Sequence, residues 1–203
     1  MVDFPLYLIS DRQQLAPARN LTEVLEAALQ GGVPAIQLRE KDLPTDQLYP
    51  LARELRRLTS RYGARLLINE RIDLALAVEA DGVHLPGHSF PIPVARMLLG
   101  PQRLIGVSTH HRDEVDMACR QGADFVTFGP VFATPSKAGD GSPEGLTALR
   151  EACRSSMVPV FALGGVKLQH QAEIQSSGAA GIALISAILT AADPAAATRS
   201  FLF

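Results

Sequence analysis

Gly122-Ala123-Asp124-Phe125-Val126 places small turn residues directly before a short apolar run. Stretches of the same kind begin at Gly31, Ala80 and Gly178, each after a segment with helical periodicity. Glycine and alanine at these points allow a helix to end and the chain to turn tightly into a strand. The apolar runs are short and continuous, which is typical of a parallel sheet covered on both faces. The pattern therefore predicts repeated helix–turn–strand units.

Extended outward from these four stretches, the same pattern predicts eight strands that alternate with eight helices. The predicted strands are Leu6–Ile9, Ala35–Leu38, Arg65–Ile68, Gly82–Leu85, Leu104–Val107, Phe125–Phe128, Pro159–Ala162 and Gly181–Leu184. The predicted helices are Leu21–Gln30, Thr45–Tyr62, Ile72–Ala77, Pro91–Leu99, Arg112–Gln121, Gly145–Ser155, Leu168–Ser177 and Pro194–Phe203. This alternation predicts one α/β domain over residues 1–203, a (β/α)8 TIM barrel. A doubly wound open sheet is the alternative, because alternation alone does not prove closure.

The composition excludes several classes of function. The 203 residues include 19 Lys and Arg against 21 Asp and Glu, a net charge of −2, which argues against binding nucleic acid by bulk phosphate neutralisation. The longest apolar runs, such as Ala179–Leu189, are too short to span a bilayer, so we expect no membrane partner. The amino terminus lacks the pattern of a signal peptide, and Cys119 and Cys153 lack metal-ligand spacing. We therefore expect a cytoplasmic globular protein.

A TIM barrel carries its active site at the carboxyl ends of its strands. At the end of the second strand, alternation places Gln37, Arg39 and Lys41 on one side. Two cations at a strand end suit a phosphate or pyrophosphate. A solvated basic patch paired with Glu40 and Asp42 is the alternative.

Two further loops are rich in anion-binding groups. The long loop after the sixth strand carries Thr134, Ser136 and Lys137, which could wrap an anionic substrate, unless the loop is merely mobile. Gly164 and Gly165 follow the seventh strand, where barrels commonly bind phosphate together with the loop after strand eight.

The sequence places further polar side chains at these anion sites and between them. Ser186 begins a helix after the eighth strand, where it can donate a hydrogen bond to a phosphate. Ser108 and His110 lie between the two anion sites, and His84 ends the neighbouring strand. A packing or orienting role is the more common one for a histidine such as His84. The rim therefore predicts two phosphorylated small molecules that meet between the two sites.

Taken together, these motifs resemble those of the thiamine phosphate synthase/TenI family of (β/α)8 barrels. The resemblance covers nearly the whole chain. The matching segments are Leu6-Tyr7-Leu8-Ile9-Ser10-Asp11, Gln37-Leu38-Arg39-Glu40-Lys41, Ala80-Asp81-Gly82-Val83-His84, Gly106-Val107-Ser108-Thr109-His110, Phe128-Gly129-Pro130-Val131-Phe132-Ala133-Thr134-Pro135-Ser136-Lys137, Leu163-Gly164-Gly165-Val166 and Ala183-Leu184-Ile185-Ser186.

The resemblance implies a transferase of thiamine biosynthesis, in which an aminopyrimidine methyl pyrophosphate loses pyrophosphate and a thiazole phosphate nitrogen captures the resulting cation. It implies three groups of residues. The pyrophosphate would be held by Gln37, Arg39, Lys41, Asn69 and Lys137, the pyrimidine by Ser108, and the thiazole phosphate by Thr134, Ser136, Gly165, Ile185 and Ser186. Of these, Arg39, Lys41, Lys137 and Ser108 are the predicted catalytic residues, while Gly164, His84 and His110 are expected to contact substrate. Family members often associate, so a homo-oligomer is also expected.

The chain departs from the family pattern where the resemblance would imply Mg²⁺. Synthases usually carry one Asp after the Asn at position 69 and another at position 89, and these two acids hold the metal. Here the positions are Glu70 and Ser89, so Glu70 is the predicted metal ligand of a weak or absent Mg²⁺ site.

The segment after His84 looks like the TenI branch, whose known activity is thiazole tautomerisation. That activity uses a His at the position that is Pro130 here, so His84 or His110 would have to serve as the base. Three functions therefore remain open. They are a synthase with a weakened metal site, a TenI-like tautomerase, and a non-catalytic regulatory paralogue that binds thiazole phosphate or thiamine phosphate.

Overall fold

The computed structural model describes residues 2–134 and 142–202. Its eight parallel strands pair in chain order, and the last pairs with the first to close a barrel. The strands are β1 (Leu6–Ile9), β2 (Ala35–Leu38), β3 (Arg65–Asn69), β4 (Gly82–Leu85), β5 (Leu104–Thr109), β6 (Phe125–Phe128), β7 (Val160–Ala162) and β8 (Gly181–Leu184). The predicted barrel is confirmed, and the open sheet is excluded by the pairing of Leu8 with Leu184.

The helices cover the outside of the barrel. They are α1 (Leu21–Gln30), α2 (Thr45–Tyr62), α3 (Ile72–Ala77), α4 (Ile92–Leu99), α5 (Arg112–Gln121), α6 (Gly145–Ser155), α7 (Gln171–Ser176), α8 (Ser186–Leu189) and α9 (Pro194–Phe201). Within the described ranges, no helix is both long and apolar enough to cross a membrane.

Three helix predictions needed correction at their ends. Pro91 is the N-cap of α4, because its ψ of 136° is extended rather than helical. The predicted helix from residue 168 to 177 is a 3-10 turn over Leu168–His170 followed by α7. The last helix ends at Phe201, since Leu202 has extended backbone angles.

The barrel has two apolar cores because each strand turns alternate side chains to opposite faces. Leu6 and Leu8 on β1 pack in a large cluster with side chains of the surrounding helices. Tyr7 belongs to a separate cluster inside the barrel, together with Phe125 and Phe161. The Phe125 ring centroid lies 5.5 Å from that of Tyr7 and 5.4 Å from that of Phe161. These rings fill the barrel interior beneath the carboxyl ends of the strands.

Two aspartates in the repeated turn stretches each bind a neighbouring strand and a helix. Asp81 accepts a hydrogen bond from the Leu66 backbone N–H at 2.8 Å and pairs with Arg56 of α2 at 2.7 Å. Asp124 accepts from the Ile105 backbone N–H at 2.7 Å and pairs with an arginine of α4 at 2.6 Å. The recurring Ala-Asp pair therefore binds the preceding strand and a helix at once.

Candidate active site

A cavity of about 900 Å³ opens at the carboxyl ends of the strands. This volume suits one or two small organic molecules. The predicted site residues that line it are Gln37, Arg39, Lys41, Asn69, His84, Ser108, His110, Thr134, Gly164, Gly165, Ile185 and Ser186. The predicted residues Ser136 and Lys137 lie outside the described residues. Glu70 is not among the residues that line the cavity.

Arg39 and Lys41, which follow β2, both line this cavity. Among residues 2–134 and 142–202, no carboxylate forms an ion pair with Arg39. Asp42 instead binds Arg12 through two hydrogen bonds of 2.6 and 2.7 Å. The guanidinium of Arg39 is therefore available to an anion in the cavity.

Glu40 lies between Arg39 and Lys41 in the sequence. Its side chain is buried and is not among those that line the cavity. Its carboxylate accepts hydrogen bonds from Ser10 Oγ at 2.6 Å and from the Arg12 backbone N–H at 3.1 Å. Burial raises the pKa of Glu40, and these hydrogen bonds oppose the rise. Ser10 Oγ also accepts from the Arg39 backbone N–H at 2.8 Å. Glu40 thus fixes the backbone that presents Arg39, a role that we did not predict from the sequence.

The floor of the cavity is a connected group of buried polar side chains. Gln37 Nε2 donates to the Tyr7 hydroxyl at 3.0 Å, and that hydroxyl lies 3.4 Å from His84 Nδ1. His84 Nε2 lies 3.1 Å from Ser108 Oγ. Burial, with a contribution from the charge of Arg39, lowers the pKa of His84 to about 3. The imidazole is therefore neutral at pH 7 and lies within hydrogen-bonding distance of Tyr7 and Ser108.

Gly164 and Gly165, which follow β7, also line the cavity and adopt a left-handed conformation, with φ values of 90° and 65°. A Cβ on Gly165 would lie 2.5 Å from the carbonyl oxygen of Ala133, and one on Gly164 would lie 2.5 Å from Pro130 Cα. The glycine pair is needed because the loop after β6 passes directly over it. The Phe132 backbone N–H donates to the Gly164 carbonyl at 3.0 Å and secures this contact.

His110 also joins the loop after β6, since its Nδ1 atom is hydrogen-bonded to the carbonyl oxygen of Gly129. His110 and Gly129 both line the cavity. The predicted residue His110 therefore connects the ends of β5 and β6 at the rim.

The residues expected to hold Mg²⁺ do not form a metal site by themselves. Among the described residues, no group of three or more His, Cys, Asp or Glu side chains is placed to hold a metal ion. Glu70, at the end of β3, has a left-handed φ of 63°, which is rare for a residue with a side chain. The Ser89 hydroxyl, at the other departure from the family pattern, is buried and has no hydrogen-bond partner in the described part of the chain.

The comparison with protein families agrees with this geometry. A family model described as thiamine monophosphate synthase matches residues 6–188. The chain belongs to this family. A protein of Geobacter sulfurreducens, named "Putative thiamine-phosphate synthase", is 56% identical over 99% of this chain and 94% of its own length. A thiamine-phosphate synthase of Moorella thermoacetica is 44% identical over 98% of this chain and 94% of its own length.

Solved structures place the fold in the same thiamine monophosphate synthase family. The thiamine phosphate pyrophosphorylase of Pyrococcus furiosus superposes with a TM-score of 0.88 at 38% identity, covering 98% of this chain and 93% of that one. A 3-hexulose-6-phosphate synthase superposes with a TM-score of 0.67 at 22% identity, covering 97% of each chain. The second likeness concerns the barrel fold alone.

Several residues that line the cavity were not predicted for this family member. Gln13 and Gln14 come from the 3-10 turn after β1, and His88 comes from the loop after β4. His88 is exposed and also borders the cavity. Tyr7 does not line the cavity but contacts the lining residues Gln37 and His84, and it was missed because it lies within an apolar strand. Strict alternation along β1 could have placed it inside the barrel.

Proposed function

We propose that this protein is a thiamine phosphate synthase, which joins an aminopyrimidine methyl pyrophosphate to a thiazole phosphate and releases pyrophosphate. The observation that carries this proposal is one cavity lined both by Arg39 and Lys41, which follow β2, and by the Gly164–Gly165 turn, which follows β7. Buried uncharged polar groups lie between them. Two anionic ends and a flat heteroaromatic centre would fit this arrangement.

At the cationic end, Arg39 and Lys41 bind the pyrophosphate, with Gln37 and Asn69 as neutral hydrogen-bonding partners. Lys137, outside the described residues, is proposed as a third cation. The bond between the pyrimidine methylene carbon and the pyrophosphate oxygen breaks, and its electron pair leaves with the pyrophosphate. Preorganised cations stabilise the charge that develops on this leaving group.

The lone pair of the thiazole ring nitrogen then forms a bond to the methylene carbon. The positive charge of the cation is carried by the thiazolium ring of the product. Ser108 orients the pyrimidine from the floor, and the buried polar groups below it exclude water from the short-lived cation. Cation formation is thus followed by capture within the same cavity.

At the other end, the thiazole phosphate is held by groups from three loops. We propose Thr134 and Ser136 after β6, Gly164 and Gly165 after β7, and Ile185 and Ser186 after β8, with His110 at the rim. Both glycines line the cavity without a side chain, so their backbone can approach a phosphate closely.

Magnesium is proposed to enter with the pyrophosphate. A Mg²⁺ ion can be held by phosphate oxygens, water and one carboxylate, and Glu70 is the carboxylate next to the cavity-lining Asn69. When bound, the ion would neutralise part of the leaving-group charge. We further propose a cytoplasmic location, which the free thiols of Cys119 and Cys153 support.

The first test replaces Arg39 by Ala and measures product formation with both substrates. We expect kcat/KM to fall at least about 100-fold, because the developing pyrophosphate charge loses a fixed cation. Arg57→Ala is the matched control, since Arg57 is exposed on α2 and pairs only with Glu54 among the described residues. Its kcat/KM should stay within about twofold of the unaltered protein.

Equal activity of the two variants would contradict the proposed pyrophosphate site. Absence of product from the unaltered protein at any Mg²⁺ concentration would contradict the synthase. Proton exchange on the thiazole phosphate in that case would identify the tautomerase alternative.

A further inference from the structure

The loop after β6 rests on the loop after β7 at two separate places. The first is a backbone contact at the Gly164–Gly165 turn, where the Phe132 N–H donates to the Gly164 carbonyl at 3.0 Å. The second is an aromatic stack, in which the ring centroid of Phe132 lies 3.8 Å from that of His170, with 16° between the ring planes. The loop after β6 is therefore fixed once through its backbone and once through a side chain.

His170 belongs to the same loop as the Gly164–Gly165 turn. It ends the 3-10 turn Leu168–His170, which comes directly before α7. Its Nδ1 atom accepts a hydrogen bond from the Lys167 backbone N–H at 3.2 Å, and its own backbone N–H donates to the Lys167 carbonyl at 2.9 Å. These two hydrogen bonds hold the imidazole in the orientation in which it stacks on Phe132.

Phe132 connects this stack to the backbone above the glycines. Its half-buried ring packs against the large cluster between the strands and the helices. A Cβ on Gly165 would lie 2.6 Å from the Phe132 carbonyl oxygen and 2.5 Å from that of Ala133, so the two backbones are in direct contact. Thr134, two residues beyond Phe132, lines the cavity. A movement of the Phe132 ring would therefore displace the segment that carries Thr134.

Neither ring of the stack is among the residues that line the cavity, whereas Gly164, Gly165 and Thr134 all line it. Phe132 and His170 can therefore affect a bound molecule only through the backbone that they hold. A phosphate at the Gly164–Gly165 turn would contact groups from both loops, and their relative positions depend on how the two loops pack. A displacement of about 1 Å in such groups is enough to weaken an interaction that depends on geometry.

We propose that His170 is a positioning residue of the thiazole phosphate end and acts through its stack with Phe132. The stack holds the loop after β6 on the Gly164–Gly165 turn before a ligand binds, so less order has to be created when the phosphate enters. The contact between two aromatic rings can account for a change in affinity of about two- to tenfold. This inference rests on the proposed function, because it concerns the thiazole phosphate end of that site.

Three substitutions of His170 separate the stack from the hydrogen bond to Lys167. His170→Phe keeps a ring for the stack but has no acceptor for the Lys167 N–H. His170→Asn keeps a side-chain acceptor but has no ring, and His170→Ala has neither.

The test measures the dissociation constant of thiazole phosphate by titration calorimetry. We expect it to rise about three- to tenfold in His170→Asn and His170→Ala and to stay within about twofold in His170→Phe. Tyr49→Ala is the matched control, because it removes a partly exposed ring that contacts Arg53 on the outer helix α2. This control should keep the affinity of the unaltered protein.

A second measurement reads the loop contact without any ligand. Hydrogen exchange followed by NMR reports how often the Phe132 N–H separates from the Gly164 carbonyl. Exchange at this amide should be about three- to tenfold faster in His170→Asn and His170→Ala than in the unaltered protein, and it should not change in His170→Phe. The Val126 N–H, which donates to the Pro159 carbonyl at 3.0 Å, is the internal control, because only a general loss of stability would accelerate its exchange.

Any other pattern among the three variants would overturn the proposal. Weaker binding in His170→Phe with full affinity in His170→Asn would assign the residue to the 3-10 turn alone. Faster exchange at Val126 in the weakened variants would show a general structural role instead of positioning.

Neither measurement requires turnover, which separates this inference from the synthase activity. Binding of thiazole phosphate that depends on the stack, without product, would reject the synthase and retain the inference. Product formation with an affinity that does not depend on the stack would retain the synthase and reject the inference. If the unaltered protein bound no thiazole phosphate, both proposals would be wrong.

Discussion

Ser89 is one of the two positions at which this chain departs from the metal-binding pattern that the family resemblance implies. Its hydroxyl is buried and has no hydrogen-bond partner among the described residues. A buried polar group without a partner is costly, so the position is not optimised for stability. It lies in the loop after β4, two residues beyond Gly87, which lines the cavity. The residue at this position is therefore expected to influence metal binding more than folding.

Replacing Ser89 by Asp should restore a second carboxylate near the pyrophosphate end. We expect the Mg²⁺ concentration for half-maximal activity to fall about tenfold, because two carboxylates hold the ion better than one. Ser60→Asp on α2 is the control. A Mg²⁺ titration that is the same for Ser89→Asp and the unaltered protein would show that the missing acid does not limit the enzyme.

Gly165 is a second residue at which the effect of a substitution should depend on the neighbouring atoms. Its φ of 65° is nearly equal to the 68° of Gly63, but only Gly165 has neighbours where a Cβ would be. Gly165→Ala should therefore destabilise the protein by at least about 1 kcal/mol more than Gly63→Ala, and it should raise the KM for thiazole phosphate. Urea unfolding and initial rates of both variants measure these effects. Equal losses would mean that the left-handed backbone alone requires glycine there.

At the scale of elements, the Ala-Asp pairs before β4 and β6 connect the start of each strand to the preceding strand and to a helix. Asp81 binds the Leu66 backbone N–H, Arg56 of α2 and Arg65 of β3. Burial alone would raise the pKa of Asp81, but the Leu66 hydrogen bond and the Arg56 charge outweigh it and lower the pKa. The carboxylate is therefore more favourable in the folded protein than in the unfolded chain.

Asp81→Asn should reduce the free energy of unfolding at pH 7 by about 1–2 kcal/mol, because the ion pairs with two arginines are lost. A lowered folded pKa means that this stabilisation is present above the unfolded value of about 3.9 and disappears as the pH falls through the folded value. The difference between Asp81→Asn and the unaltered protein should therefore shrink below about pH 4.

Asp116→Asn is the control for this change, since its contact with Arg112 is 3.9 Å long at the surface of α5. It should alter the unfolding free energy by less than about 0.5 kcal/mol. Urea unfolding at several pH values provides the measurement. An Asp81→Asn effect that does not change with pH would contradict the ionic explanation.

At the scale of the whole molecule, the residues that hold the strands together differ from the cations that line the cavity. The helix-facing cluster around Leu8 and the ring cluster around Phe125 hold the strands. The cavity-lining cations Arg39 and Lys41 lie beyond both clusters, at the strand ends. Substitutions at the rim can therefore change binding with little effect on the fold.

The barrel and most of the cavity lining could be predicted from the sequence because both depend on local, periodic signals. Apolar runs such as Phe125–Phe128 and turn residues such as Gly122 mark the strands without reference to distant residues. Once the strands are known, barrel geometry alone assigns Gln37, Arg39 and Ser108 to the same end.

The tertiary structure alone decided which polar groups act together. Glu40 is adjacent to Arg39 in sequence, yet its partners Ser10 and Arg12 are about thirty residues away. Tyr7 and His84 are 77 residues apart and meet only because the closed barrel turns both side chains inward. Periodicity determines which face a side chain takes, whereas its hydrogen-bond partners depend on closure of the barrel, which no local segment encodes.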